Sequence, residues 1–276
     1  MTGLKQGLLE DNIRKLGSLA VAFSGGTDST FLLAEAAKVL GERVIAVSAR
    51  SCFVPAAQTD VACDFCRQRG IKHIVFDADP LSVPECRDNP PDRCYHCKRL
   101  IFSEIRRIAS ENGIENVAEG SNSDDLNDYR PGLRALEELG IISPLKDAGL
   151  SKEEIRMLSK EMGLQSWNAP ADACLATRIS YGEVITPEKL RMTDEAERFL
   201  KESGFTHVRV RLHGNLARIE VAPEEIERLA SDEMRKRVLA HLYDEGYTYV
   251  TVDMGGFCSG SMNKASDAGP ELWGKQ

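Results

Sequence analysis

Near the N-terminus, Ser24-Gly25-Gly26-Thr27-Asp28-Ser29 gathers glycines, hydroxyls and one carboxylate in a single short stretch. An apolar run over 19–23 precedes it without helical period and reads as a buried parallel strand, and residues 31–40 follow as an amphipathic helix. Glycines let a backbone approach a ligand closely, hydroxyls add donors, and a helix aims free N–H groups and its positive end at the loop. That is chemistry for an anion, with Ser24, Gly25, Gly26, Thr27 and Ser29 as its contacts. The loop lacks the lysine followed by serine or threonine with which the commoner phosphate loop grips terminal phosphates. A nucleotide cut between its α- and β-phosphates, as in adenylation, fits better. Asp28 is placed to bind the magnesium that accompanies ATP or to orient the loop's hydroxyls. As an acid at a helix start it also suits the helix dipole.

Sulfur chemistry is the second theme. The chain has 8 cysteines. Lys5 and Arg14 near the start are followed by no apolar stretch, and no apolar run approaches a membrane span. A cytoplasmic location is expected, where a disulfide framework is not. Cys94 and Cys97, flanked by Arg93 and Lys98 on a loop entering a helix, read as a metal clip, a redox pair or a chance spacing. Cys174 follows Pro170 and precedes Arg178. A thiolate that attacks an acyl-adenylate needs a lowered pKa, which neighbouring positive charge supplies. Taken alone, Cys174 equally suits a buried structural thiol. Cys63 and Cys66 lie in a stretch that reads as an ordinary helix, and Cys52, Cys86 and Cys258 read as structural.

Arg209 and Arg211 alternate on a strand and so share a face. Two guanidinium forks on one face make a phosphate or carboxylate site, or else an exposed charged face paired with Glu220. Asp124 and Asp125 close a predicted strand and read as nucleotide or metal contacts, or as turn acids.

The elements that must position these groups alternate. Strands are predicted over 19–23, 43–49, 72–77 and 116–120, with helices over 1–16, 31–40, 58–69 and 95–112. Ser151 and Glu154 form a capping box that opens a further helix through Met162. This spacing predicts an α/β fold with a doubly wound parallel sheet. In such a sheet ligands lie beyond the carboxyl ends of the strands, so Ser48 and Ala49 are candidates to flank adenine. A turn is expected over 128–132. Beyond a hinge at 168–174, helices over 187–202, 223–229 and 232–245 mix with strands over 207–212, 217–221 and 247–252. These form a smaller α+β domain, so the expected division is 1–167 and 168–276, with 259–276 as a loose tail.

At 42% hydrophobic and 28% charged residues, the composition is that of an ordinary globular protein. The net charge of −8, from 35 basic and 43 acidic residues, favours a small-molecule substrate over a phosphate-rich nucleic acid.

Strand, Ser24–Ser29 loop and helix in that order resemble the pyrophosphatase-loop ATPases, whose fold is adenine nucleotide alpha-hydrolase-like. The chain as a whole is similar to the ATP-dependent sacrificial sulfur transferases, the LarE family. The matching pieces are 24–29, 93–98, 120–125, 128–132, 170–178, 209–213 and 217–220. The resemblance implies ATP with magnesium as cofactors, with Gly120 and Asp125 joining the loop in the nucleotide site. It also implies a small-molecule nucleotide substrate, pyridinium-3,5-biscarboxylic acid mononucleotide. One of its carboxylates becomes a thiocarboxylate on the way to the nickel-pincer nucleotide of lactate racemase. Family members give up the sulfur of the cysteine matching Cys174, leaving dehydroalanine. Others hold a [4Fe–4S] cluster, for which Cys94, Cys97 and Cys174 are the set here. Arg178, Arg209 and Arg211 would face the substrate, and Glu197 and Glu220 could ligate a divalent ion. A homo-oligomer, by resemblance a hexamer, is expected, and no membrane. Rival readings are an adenylating tRNA thiolase, an amidating synthetase of the NAD or GMP type, and an ATP-binding sensor of the universal-stress type.

Overall fold

The computed structural model describes residues 2–127, 131–169 and 173–258. The expected turn at 128–132, hinge at 168–174 and tail at 259–276 therefore fall wholly or partly outside the described residues. Strands β1 to β4 are Leu19–Ala22, Val44–Arg50, Lys72–Asp77 and Val117–Ala118, and β5 to β7 are Arg209–His213, Leu216–Glu220 and Tyr249–Val252. Helices α1 to α6 are Thr2–Leu16, Thr27–Leu40, Ala56–Arg69, Pro84–Arg87, Arg93–Glu111 and Pro131–Glu138. Helices α7 to α11 are Pro144–Asp147, Lys152–Glu161, Pro187–Glu202, Ile226–Ala230 and Asp232–Asp244. The chain divides into two compact units, residues 1–80 with 92–172, and 81–91 with 173–276. The stretch 81–91 thus joins the second unit although the first surrounds it in sequence.

In the first unit, four parallel strands run in the order β3-β2-β1-β4, with Leu19 opposite Val44 and Ala20 opposite Val117. Side chains alternate across a strand, so β1 feeds both faces of the sheet. Leu19 and Val21 join a core with α1, α2 and α8, while Ala20 meets Phe102, Ile105 and Ile108 of α5. Helices on both faces make this the doubly wound α/β sheet that the alternation predicts. Strand β4 is shorter than the predicted 116–120. Ala118, paired with Val21 of β1, also bridges to Ile142, with Ile142 N–H donating to Val117 O and Glu119 N–H to Ile142 O, both at 3.0 Å.

The second unit carries the smaller α+β fold. Strands β5 and β6 form an antiparallel hairpin, and β7 pairs with β6 in parallel. Val208, Val210, Leu212, Ala217 and Ile219 are buried in its core with Ala196 and Leu200 of α9.

Candidate active site

The loop after β1 turns at Gly25, whose φ of 77° lies in the left-handed region that glycine enters without strain. Helix α2 starts at Thr27, four residues before its predicted start, because Gly26 is already an extended N-cap. Thr27, Asp28 and Ser29 therefore form the helix's first turn, and its free N–H groups open onto the loop. Ser24 Oγ lies 3.0 Å from Ser29 Oγ, which donates to Gly26 O at 3.2 Å. Gln58 of α3 donates to Ser24 O at 2.9 Å, and Thr27 Oγ1 donates to Ser166 O at 2.7 Å. These bonds fix the loop from both sides.

Gly120 lies directly behind it. A Cβ there would come within 3.0 Å of Ser29 N and 3.2 Å of the Asp28 carbonyl carbon, so the absence of a side chain lets β4's end meet α2's start. Next to Gly120, the buried Glu119 accepts from Ser121 N–H at 3.0 Å, Ser121 Oγ at 2.8 Å and Ser143 Oγ at 2.6 Å. This carboxylate holds the backbone that carries Gly120 and, through Asn122 N–H donating to Asp125 Oδ2 at 3.0 Å, the Asp125 turn. Ser48 Oγ donates to Phe23 O at 2.5 Å and lies 2.7 Å from His73 Nε2, where burial lowers the imidazole pKa. Phe23, Ser24, Ser48, Ala49, Gln58 and Ala62 line a cleft at the carboxyl ends of β1 and β2. Its lining is mostly apolar, with Ser24, Ser48, Gln58 and Thr59 as the polar members, the make-up of a small-molecule cleft.

Asp28 carries a charge the sequence did not prepare for. Lys152 Nζ sits 2.6 Å from its Oδ2, and Lys152 N–H donates to Asp124 Oδ2 at 2.9 Å. The other oxygen of Asp28, Oδ1, is buried without a hydrogen-bond partner. Burial raises the Asp28 pKa, and the charge and hydrogen bond of Lys152 only partly offset this. Oδ1 is therefore an oxygen donor that could hold a cation beside the Ser24–Ser29 loop.

In the second unit Cys174 is half-buried and caps a 3-10 turn over Leu175–Arg178. Arg178 folds back beneath it. Its Nη1 donates to Ala173 O at 2.7 Å and Cys174 O at 3.3 Å, while Nε and Nη2 grip Glu197 at 2.7 and 2.9 Å. Thr177 Oγ1 adds a bond to Cys174 O at 2.8 Å. Arg211 repeats the pattern, with both Glu220 oxygens at 3.1 Å and Nη1 donating to Thr177 O at 3.0 Å. Arg209 stacks over Phe257 and donates to Val208 O at 2.8 Å. Arg178, Arg209 and Arg211 are all buried, so the exposed-face reading of the arginine strand does not hold. Glu197 and Glu220, considered as ion ligands, are engaged by Arg178 and Arg211. Removing one member of such a buried pair strands its partner's charge, at about 3–5 kcal/mol.

Cys94 and Cys97 lie in the first turns of α5, three residues apart and so on one face. Helix α5 begins at Arg93, before its predicted start at 95, so the pair is helical and not on the loop. Arg93 is buried, with Nη2 3.8 Å from Cys94 Sγ. Tyr95 donates to Glu138 at 2.7 Å, and the Arg134 guanidinium lies 3.9 Å over the Tyr95 ring, so α6 clamps this end of α5. Cys66 is buried and its thiol is pushed up to about 12 by burial and by Cys63, which suits an inert position. Cys86 is buried, whereas Cys52 and Cys258 are exposed and not core residues. Among the described residues, no three His, Cys, Asp or Glu side chains gather as metal ligands.

Sequence reasoning missed Lys152, Glu119 and the glutamate partner of Arg178. Their contacts span 124, 24 and 19 residues, and no local pattern signals them.

A parallel sheet whose central strand delivers this serine- and glycine-rich loop to a helix N-terminus defines the pyrophosphatase-loop ATPase class. No protein-family model matches the chain. It is 37% identical over 260 residues to pyridinium-3,5-bisthiocarboxylic acid mononucleotide synthase of Lactiplantibacillus plantarum, covering 94% of each chain. It is also 37% identical to the uncharacterized protein slr1717 of Synechocystis sp., over 92% of this chain and 96% of that one. A subunit of the glutamine-hydrolyzing GMP synthase of Thermoplasma acidophilum is 27% identical over 67% of this chain and 64% of its own. The chain belongs to the LarE family of sulfur transferases, and it is an enzyme. No helix of the described residues is long and apolar enough to cross a membrane.

Proposed function

We propose that the protein uses ATP to activate a carboxylate of pyridinium-3,5-biscarboxylic acid mononucleotide and replaces an oxygen of that carboxylate with sulfur. The observation that carries this reading is Cys174 on a turn pinned by buried arginines, in a chain that also holds a nucleotide loop built for an anion. The Ser24–Ser29 loop, the N-terminus of α2, Ser48, Gly120 and Asp125 bind ATP. Asp28, with its orphaned Oδ1, would hold magnesium, which supplies charge neutralisation of the phosphates. A substrate carboxylate oxygen attacks the α-phosphorus and pyrophosphate leaves, so a poor leaving group becomes AMP. Arg209 and Arg211 provide positive charge for the substrate's phosphate, Arg211 while keeping its contacts to Glu220 and Thr177. Arg178 is committed to Glu197 and to the Cys174 turn, and its part is to orient that turn.

In the sacrificial route the Cys174 thiolate then attacks the acyl carbon and AMP leaves with the carboxyl oxygen. Loss of the Cys174 Cα proton with breakage of its Cβ–Sγ bond frees the thiocarboxylate and leaves dehydroalanine. Thiolates are the usual ligands of a [4Fe–4S] cluster, and by the family resemblance Cys94, Cys97 and Cys174 are the set that would hold one, although no three such ligands gather among the described residues. Such a cluster would supply a labile sulfide and spare Cys174. We favour the cluster, since it explains the cysteine pair of α5.

The similarity to the GMP synthase of Thermoplasma acidophilum favours a second reading, an amidating synthetase that uses ammonia. Cys174→Ala separates the two. In the sulfur transferase it keeps ATP-dependent pyrophosphate release and forms no thiocarboxylate, whereas an amidating enzyme loses nothing. With a cluster, Cys94→Ala and Cys97→Ala stop multiple turnover as well; with a sacrificial Cys174 they leave the single turnover intact.

A further inference from the structure

Asn89 stands apart from every other described residue. It has a φ of 56°, the one positive φ among the described non-glycine residues, and it is fully buried. The left-handed region is costly for a side chain, although asparagine tolerates it best. Pro90 follows and further restricts the backbone before it. A conformation of this kind persists where its surroundings over-determine it, and such positions cluster at functional sites.

The surroundings here are the residues just after Cys174. The Asn89 amide donates to Ser180 O at 2.7 Å and to Ile179 O at 3.2 Å. Its own carbonyl accepts from Gly182 N–H at 2.9 Å, and Arg87 O accepts from Ile185 N–H at 2.8 Å. On the other side, Ile179 bridges to Leu212 of β5, and Ser180 Oγ donates to Leu212 O at 3.2 Å. Residues 179–182 are therefore held between β5 and the Asn89 segment. Ile179 N–H in turn closes the cysteine-bearing turn on Ala176 O at 3.3 Å.

We propose that Asn89 is a positioning residue for Cys174: its left-handed backbone delivers a buried amide that anchors the downstream end of the turn whose upstream end Arg178 holds. The inference rests on the reading of Cys174 as the sulfur-handling thiol. It explains why the stretch 81–91 leaves the first unit to pack with the second. Without the two Asn89 donors, Ile179 O loses a buried hydrogen bond and Ser180 O keeps Glu183 N–H at 3.0 Å but loses its link to the Asn89 segment, so the turn opens more often.

Asn89→Asp keeps shape and left-handed tolerance but replaces the donors with an acceptor, and Asn89→Gly keeps the backbone conformation with neither strain nor charge. Both full-length variants are compared with wild type by peptide-resolved iodoacetamide alkylation, with Cys52 as the internal control. Circular dichroism verifies the fold. Expected is alkylation of Cys174 about tenfold faster in both variants, with Cys52 unchanged. Thiocarboxylate formation falls about tenfold, while ATP-dependent pyrophosphate release stays within about twofold of wild type. Wild-type Cys174 alkylation in two folded variants overturns the proposal. If the wild-type protein releases no pyrophosphate, the adenylation reading fails, and the alkylation contrast still decides the role of Asn89.

Discussion

Asp28 holds its charge against burial, with one oxygen on Lys152 and the other unpartnered. Its folded-state pKa is raised above the unfolded value, so the ionised form costs stability above that folded pKa, and the cost disappears as pH falls through it. Asp28→Asn should therefore raise the melting temperature of the ligand-free protein at neutral pH. The same change should abolish pyrophosphate release, because the asparagine cannot neutralise a cation. A melting temperature lowered by several degrees, or pyrophosphate release at the wild-type rate, would contradict this. At this scale the loop was legible because its chemistry is contiguous in sequence. Lys152, Glu119 and Asn89 were not, since each acts on a residue brought to it only by the fold. The arginines were legible as a charged pair, but their burial was not, because alternation on a strand gives a shared face without saying which face is covered.

Among the elements, β4 and α2 meet at one contact that decides whether the loop forms. A Cβ on Gly120 would strike backbone at Ser29 and Asp28, and backbone yields less easily than the tip of a side chain. Gly120→Ala should cost about 1–3 kcal/mol and weaken ATP binding at least tenfold. Thermal unfolding and an ATP titration check this, and wild-type ATP affinity would refute it. The strands of the sheet were readable because apolar runs bounded by turn residues need no tertiary information, and the Ser151–Glu154 capping box is formed as expected. Boundaries differ from the predicted ones at α2, α5 and β4. Gly26 starts α2 early, Arg93 brings the cysteine pair into α5, and β4 ends at Ala118, two residues before its predicted end. Helix α6, which clamps the start of α5 through Glu138 and Arg134, had no local signal strong enough to predict it.

For the molecule as a whole, the loop proposed to activate the carboxylate lies in the first unit and the Cys174 turn in the second. The order of steps demands that a carboxylate be activated before sulfur reaches it, since a free carboxylate is a poor electrophile. On the proposed reading the two units divide the reaction as the alternating sheet and the smaller α+β fold divide the chain. The order of steps also leaves a trace in the by-product. With substrate labelled by oxygen-18 in its carboxylates, ATP and magnesium, the attacking carboxylate oxygen must leave on AMP. Mass spectrometry of the nucleotides after a single turnover is the direct measurement. The account predicts AMP carrying the label in step with thiocarboxylate formed, together with pyrophosphate. Unlabelled AMP, or ADP with inorganic phosphate, would contradict it.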